Sequence, residues 1–291
     1  MQKHVKQYEV LQWASLFLKK YDREANVAEL LLRHHLNMSR TEYFAHMRER
    51  IPAKVVQAFK SDIMKHAQTG IPVQQIIGYE MFFGRPFYVD ENVLIPRPET
   101  EELVQRIIEH ARKTYVTNEP ITIVDVGTGS GIIAITLALE LPFAIVYATD
   151  ISPDALAVAK KNATNLQAQV TFLEGDFLQP LIDLSTKVEI VVSNPPYIAK
   201  HERDKLSDTV KNFDPAIALF AENNGLRAYQ TIISQLPHVI IEGGSVYFEI
   251  GHTQGKAVAS LLKETFPMSE VTVEQDINKK DRIVSCYLES I

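Results

Sequence analysis

The stretch Ile121-Thr-Ile-Val-Asp-Val-Gly-Thr-Gly-Ser-Gly131 decides the architecture. Residues 121–126 form a near-continuous β-branched run, the pattern of a strand covered on both faces. Three glycines follow at alternate positions, where a backbone must turn sharply and come close to a ligand. A helix over 130–140 is predicted next. The spacing is G-x-G-x-G, not the G-x-G-x-x-G that cradles a pyrophosphate, which argues against a nicotinamide dehydrogenase.

Outward from this point the alternation continues. Strands are predicted at 145–149, 170–173, 188–193 and 245–250, with helices opening at Pro153, filling about 225–241, and running over 253–266 until Pro267 stops the last. Alternating strands and helices predict an α/β fold with a doubly wound parallel sheet. Residues 271–275 and 283–288 pair around the polar turn 278–282, so the last strand is expected antiparallel to its neighbour.

Upstream the character differs. Apolar residues recur at helical spacing over 5–18 and 25–36, with Asn26 as expected N-cap and Asn37 as stop. Ser39 with Glu42 makes a capping box, Pro52 suits a first turn, and Gly70 closes that helix. The aromatic-rich stretch 79–89, broken by Gly84 and Pro86, reads as two short strands around a turn. A helix then runs to about Lys113, with Pro98 near its start. Three regions are therefore expected: a helical bundle over 1–75, a β-hairpin linker over 76–98, and the α/β domain over 99–291.

Charge supports the division. Residues 1–75 hold twelve Lys/Arg against seven Asp/Glu, net +5, leaving 18 against 29, net −11, for residues 76–291. An acidic α/β half is a poor polyanion binder, so stable nucleic-acid binding is not expected. The single cysteine, Cys286, excludes a disulfide framework and suits a reducing compartment. No apolar run approaches the roughly eighteen residues of a membrane span, and the N-terminus lacks a signal-peptide core, so a cytoplasmic location is expected. The nine histidines are scattered, and the adjacent His34 and His35 leave a helix about 100° apart, so no metal site is expected.

Open α/β sheets bind ligands at the carboxyl ends of their strands. The residues there are Asp125 and the loop Gly127, Thr128, Gly129, Ser130 and Gly131; then Asp150; then Asp176 and Phe177. A carboxylate at the second strand end suits a ribose diol, which offers two donors. Asp176 can take an adenine amino group and Phe177 can cover the base. This set fits S-adenosylmethionine (SAM), a nucleoside without phosphate, and Asp125 is placed to shape the loop or attract the SAM ammonium.

The next strand runs into Ser193-Asn-Pro-Pro-Tyr197, the most specific signal in the chain. An amide nitrogen is a weak nucleophile because its lone pair is delocalised. Two acceptors gripping both N–H groups favour a more tetrahedral nitrogen. Asn194 supplies a side-chain oxygen and Pro195 a carbonyl, whose direction the ring pair Pro195-Pro196 presets. Tyr197 offers a flat face to a planar amide. Such a site works by orientation and prearranged dipoles, and no activated Ser or Cys is needed.

With these residues, the chain resembles the bacterial peptide-chain release factor glutamine methyltransferases (the HemK family). The resemblance spans most of the chain. It includes the helical N-terminus, 94–101 (Leu-Ile-Pro-Arg-Pro-Glu-Thr-Glu), 125–131, Asp150, 194–197, 214–220 and 249–251. It implies a Rossmann-like class I SAM-dependent methyltransferase sheet, with S-adenosylhomocysteine as product. The implied acceptor is the glutamine amide (N5) of the Gly-Gly-Gln motif in class I release factors, gripped with help from the N-terminal bundle. By motif, Gly127 to Gly131, Asp150 and Phe177 would bind SAM and Asn194 to Tyr197 the glutamine; the family often has Trp where Phe177 stands. Arg97 and Glu249 are expected to border the substrate pocket, against the plainer readings of an ion pair and a strand-end acid. Residues 200–214 read equally as a solvated loop or a lid. A monomer is expected. The same chemistry on a ribosomal-protein glutamine, or on adenine in DNA, stays open, the latter disfavoured by the acidic half; a SAM-binding module without turnover would not need Asn194 and Tyr197.

Overall fold

Hydrophobic runs with no polar face can fold only where both sides are covered, and the central sheet does this. In the computed structural model, which describes residues 5–115 and 119–289, the sheet has seven strands: β1 (Ile121–Val126), β2 (Ala144–Asp150), β3 (Thr171–Glu174), β4 (Val188–Ser193), β5 (Ile240–Glu249), β6 (Glu270–Gln275) and β7 (Asp281–Tyr287), in the order β6-β7-β5-β4-β1-β2-β3. Neighbours from β5 to β3 run parallel, whereas β7 is antiparallel to both β5 and β6. Successive residues of a strand face opposite sides. Ile123, Ile190, Val192 and Tyr247 accordingly pack with Leu103, Ile107, Ile133 and Leu137 on one face. Val124, Val191, Val246 and Phe248 pack with Tyr229, Ile232, Leu236 and Leu262 on the other.

The order reverses at β1: the chain winds outward through β2 and β3, then returns to lay β4 on the other side of β1. Loops leaving β1 and β4 therefore diverge at a switch point, the preferred ligand crevice of such sheets. Val126 pairs with Ser193, and the Ser193 hydroxyl donates to the Val126 carbonyl at 2.6 Å. The glycine loop and Asn194 thus leave the sheet side by side.

Two units divide the chain: Met1–Tyr79 with Ser207–Phe213, and Glu80–Leu206 with Asp214–Ile291. In the first, helices Gln7–Lys20, Asn26–Leu36, Arg40–Ala45 and Ala53–Thr69 bury Ala14, Leu18, Leu31, Leu32, Phe59 and Ile63. The Ser39–Glu42 capping box forms as read, and Asn37 and Gly70 close their helices in the left-handed region. Asn26 differs: it is the first helical residue, and Ala25 occupies the cap without a side-chain bond. Helix Val73–Ile77 leaves no mark in the sequence pattern, since five residues are too short to show periodicity.

The strands Tyr79–Phe82 and Arg85–Tyr88 flank a two-residue turn, Phe83 (φ 51°) and Gly84 (φ 74°), whose paired positive φ values match a type I′ hairpin turn. Helix Pro98–Thr114 follows, with proline at its start where no N–H is needed. Between β4 and β5 the chain is neither plain loop nor long helix. A 3₁₀ segment Lys200–Lys205, helices Asp208–Phe213 and Ala216–Leu219, and the parallel pair Ile198–Ala199 with Phe220–Ala221 precede helix Arg227–Val239.

Candidate functional site

The loop after β1 is held from several sides. Gly127 and Thr128 N–H donate to the Thr149 carbonyl at 2.8 and 2.9 Å. Gly129 N–H donates to Asp150 Oδ2 at 2.8 Å, and the Asn162 amide to the Ser130 carbonyl at 2.9 Å. Gly131 (φ 83°) starts helix Ile132–Glu140; a Cβ there would lie 2.8 Å from Ile135 Cδ1 and 3.1 Å from the Ala159 methyl. Only glycine meets both the left-handed conformation and that close approach.

Asp125 lies beneath the loop. Its Oδ2 accepts from the Thr128 hydroxyl at 2.6 Å and from Ala134 N–H at 3.2 Å. Complete burial pushes its carboxyl up to about 7 despite those two bonds. Asp150 is also raised by burial, offset by backbone N–H groups including those of Ser152 and Gly129.

A cavity of about 970 Å³, counting its open mouth, lies at the switch point. Gly127, Thr128, Gly129 and Ser130 line it, together with Asp150, Asp176 and Phe177. Asn194, Pro196, Arg97 and Thr100 also line it, with Val93 and Ile217 among the apolar residues. Of the residues singled out in the sequence, Asp125, Gly131, Pro195, Tyr197 and Glu249 are not on its wall. Asp125 and Gly131 act from below and behind the loop. Pro195 is buried. Tyr197 packs against the core face that holds Tyr229, its carbonyl accepts from the Gln254 amide at 3.0 Å, and burial pushes its hydroxyl up to about 12, so it stays neutral. Gly225 backs the same peptide: a Cβ there would overlap the Tyr197 carbonyl.

Glu249 stands behind Thr100. Both are buried, and the Thr100 hydroxyl donates to Glu249 Oε2 at 2.7 Å. Asn194 Nδ2 reaches Thr100 Oγ1 at 3.4 Å. Burial raises the Glu249 carboxyl to about 7, while Thr100, Arg282 and the Asn194 amide pull it down and Glu99 pushes it up. Arg97 pairs with the buried Asp214 at 3.0 Å; burial raises the Asp214 carboxyl and the guanidinium opposes that. Arg97 is thus both ion-paired and on the cavity wall.

A family profile described as PrmC N-terminal domain matches residues 9–78, and one described as methyltransferase small domain matches residues 100–214. The release factor glutamine methyltransferase of Bacillus anthracis is 45% identical over 282 residues, covering 97% of this chain and 99% of that protein. The chain belongs to the release factor glutamine methyltransferases. The Bacillus subtilis release factor glutamine methyltransferase is also 45% identical, over 281 residues and 97% of each chain. A solved methyltransferase from Pyrococcus furiosus shares the fold, with a TM-score of 0.51 at 11% identity over 72% of this chain and 91% of that one.

In this release factor glutamine methyltransferase no group of three or more His, Cys, Asp or Glu able to hold a metal ion occurs among the described residues. Nor, among them, is any helix long and apolar enough to cross a membrane. Thr100, Asn162, Gly225 and Gln254 are site residues whose roles no motif in the sequence marks. Each acts on a partner 28 to 149 positions away, as the Gly225–Tyr197 and Thr100–Glu249 pairs illustrate. Thr100 alone carries a local signal, lying three residues after Arg97 and two after Pro98.

Proposed function

We propose that the chain transfers the methyl group of SAM to the side-chain amide nitrogen (N5) of the glutamine in the Gly-Gly-Gln motif of class I peptide chain release factors, leaving S-adenosylhomocysteine. One observation carries the reading: Asn194 lines the same switch-point cavity as the glycine loop, Asp150 and Phe177. The residues present fit the cofactor. No atom lies within 4 Å of where a Cβ would stand at Gly127 or Gly129, so the loop backbone borders open space. Asp150 and Asp176 give the wall two carboxylates for ribose hydroxyls and an adenine amino group, and Phe177 gives it a ring for the base. Thr128 and Ser130 complete the loop wall, while Asp125 and Gly131 contribute by fixing its shape.

Bound SAM supplies an electrophilic methyl on a positively charged sulfur. The protein supplies orientation. Asn194 Oδ1 accepts one N–H of the glutamine amide and the Pro195 carbonyl accepts the other, so the nitrogen lone pair is released from conjugation and aimed. Pro196 narrows the corner, and the neutral Tyr197 ring supports the flat amide. The acceptors are fixed before substrate arrives, and their dipoles favour the charge that develops on nitrogen. The nitrogen loses its proton after transfer, so no dedicated base is required. Arg97, on the cavity wall, borders the incoming chain, and Glu249 acts from behind Thr100. The helical region 1–75, net +5, takes part in gripping the release factor, and the enzyme works as a cytoplasmic monomer without a metal.

The test is incubation with labelled SAM and purified class I release factors, followed by mass mapping. Label on the glutamine of a Gly-Gly-Gln peptide is expected. Label only on a ribosomal protein or on DNA overturns the acceptor.

A further inference from the structure

A carboxamide has two ends of nearly equal shape and opposite hydrogen-bonding sense: an oxygen that accepts and an NH2 that donates. The proposed chemistry needs the Asn194 oxygen, not its NH2, facing the substrate. Something must therefore distinguish the two ends from behind. Two groups within reach of Asn194 are Thr100 and Glu249.

Their polarity is ordered. A threonine hydroxyl has one proton to give and two lone pairs to receive with. The Thr100 proton is committed to Glu249 Oε2 at 2.7 Å, in a buried bond. What remains toward Asn194 is acceptor only, and Asn194 Nδ2 meets it at 3.4 Å. Burial raises the Glu249 carboxyl to about 7 against the pull of Thr100, Arg282 and Asn194, so this ordering holds where Glu249 is ionised and can only accept. Neither neighbour then offers a donor to the Asn194 oxygen. Turning the amide over would set its oxygen against two acceptors and leave its NH2 toward the cavity.

We propose that Thr100 is a positioning residue for methyl transfer: locked as a donor to Glu249, its hydroxyl can only accept from Asn194, and so it holds the Asn194 NH2 inward and frees the Asn194 oxygen for the substrate amide. The relay runs between three elements far apart in sequence: helix Pro98–Thr114, the segment after β4 and the end of β5. It rests on the methyl-transfer reading above.

The full-length enzyme is compared with Thr100→Val, which keeps the shape and removes the hydroxyl, and Thr100→Ser, which keeps the hydroxyl and removes the methyl. Turnover on a release factor is measured with labelled SAM, SAM affinity by calorimetry, and the Asn194 side-chain NH2 by ¹⁵N–¹H spectra, assigned by its absence in Asn194→Ala. Thr100→Val is expected to lower kcat about 100-fold, the scale of a misplaced reacting group, with SAM affinity held within about threefold and the Asn194 NH2 resonances moved. Thr100→Ser is expected to restore both kcat and those resonances. Full turnover in Thr100→Val, or a Thr100→Ser enzyme as impaired as Thr100→Val, overturns the relay. Should wild type label no release factor, the acceptor assignment fails, and the relay is still judged by the NH2 resonances, which need no acceptor; their indifference to Thr100→Val sinks it.

Discussion

Replacing Glu249 by Gln should make the protein more stable relative to wild type as pH rises. The cause is the buried carboxyl. Its ordinary value of 4.5 is pushed to about 7 in the folded chain, chiefly by burial, against the pull of Thr100, Arg282 and Asn194. Tyr197 and Tyr229 also face it, and both stay neutral, their hydroxyls raised by burial. A raised carboxyl contributes stability that is fully present below the unfolded value and is lost as pH climbs through the folded one. With the values 4.5 and about 7, wild type loses about 2–3 kcal/mol from this group between about pH 5 and about pH 8, since each tenfold difference in proton affinity between folded and unfolded chains is worth roughly 1.4 kcal/mol. Gln does not titrate, and every other ionisable group, Asp125 included, is common to both proteins and cancels in the difference. Urea unfolding of the two proteins at the two pH values reads the effect. With a slope of about 2.5 kcal/mol per molar, the separation between the two midpoints should change by about 1 M. A separation that is the same at both pH values would refute the argument, because it would mean that Glu249 is ionised alike in folded and unfolded chains.

Three further outcomes follow from the site. Asn194→Ala should bind SAM within about threefold of wild type while turnover falls at least about 100-fold, the scale of losing one prearranged polar contact in a transition state; equal turnover would count against the amide clamp. Asp150→Ala removes a cavity carboxylate and the acceptor that anchors Gly129 N–H, so calorimetry should show SAM binding weaker by about one to two orders of magnitude, or about 1.4 to 3 kcal/mol; an unchanged Kd would remove Asp150 from the cofactor site. Gly131→Ala forces a Cβ onto a left-handed residue and against Ile135 and Ala159, and should lower unfolding free energy by about 1–3 kcal/mol; a neutral result would show that the helix start can shift without cost.

The sequence made the sheet easy to read and the site only partly so. Residues 121–126 and 188–193 are legible as strands because burial on both faces leaves no polar alternation, and the structure forms them as Ile121–Val126 and Val188–Ser193. The insertion of β7 between β5 and β6 was not legible, since a hairpin fixes the pairing of its own two strands and not which of them meets β5. Short pieces such as Gln179–Asp183 and Ala216–Leu219 escaped for want of a full period. At the site, Asp150 and Asp125 look alike in sequence, each an acid at a strand end. The structure separates them: Asp150 lines the cavity, whereas Asp125 is turned under the loop into a bond with Thr128. The period of two along a strand hides this, because a loop's path over its own strand end is not written in the strand. Thr100 and Glu249, 149 residues apart, could be joined only by the folded chain.

The rung between Val126 and Ser193 has a wider consequence. The glycine loop and Asn194 hang from paired residues at the last rung between two central strands, where strand spacing is close to about 4.8 Å and hardly varies. The separation between the glycine loop and Asn194 is thereby set by main-chain geometry, which mutation of side chains barely alters. Divergence in what presents the acceptor can proceed without resetting that gap. A lineage built on this ladder is free to change its clients while keeping its reaction.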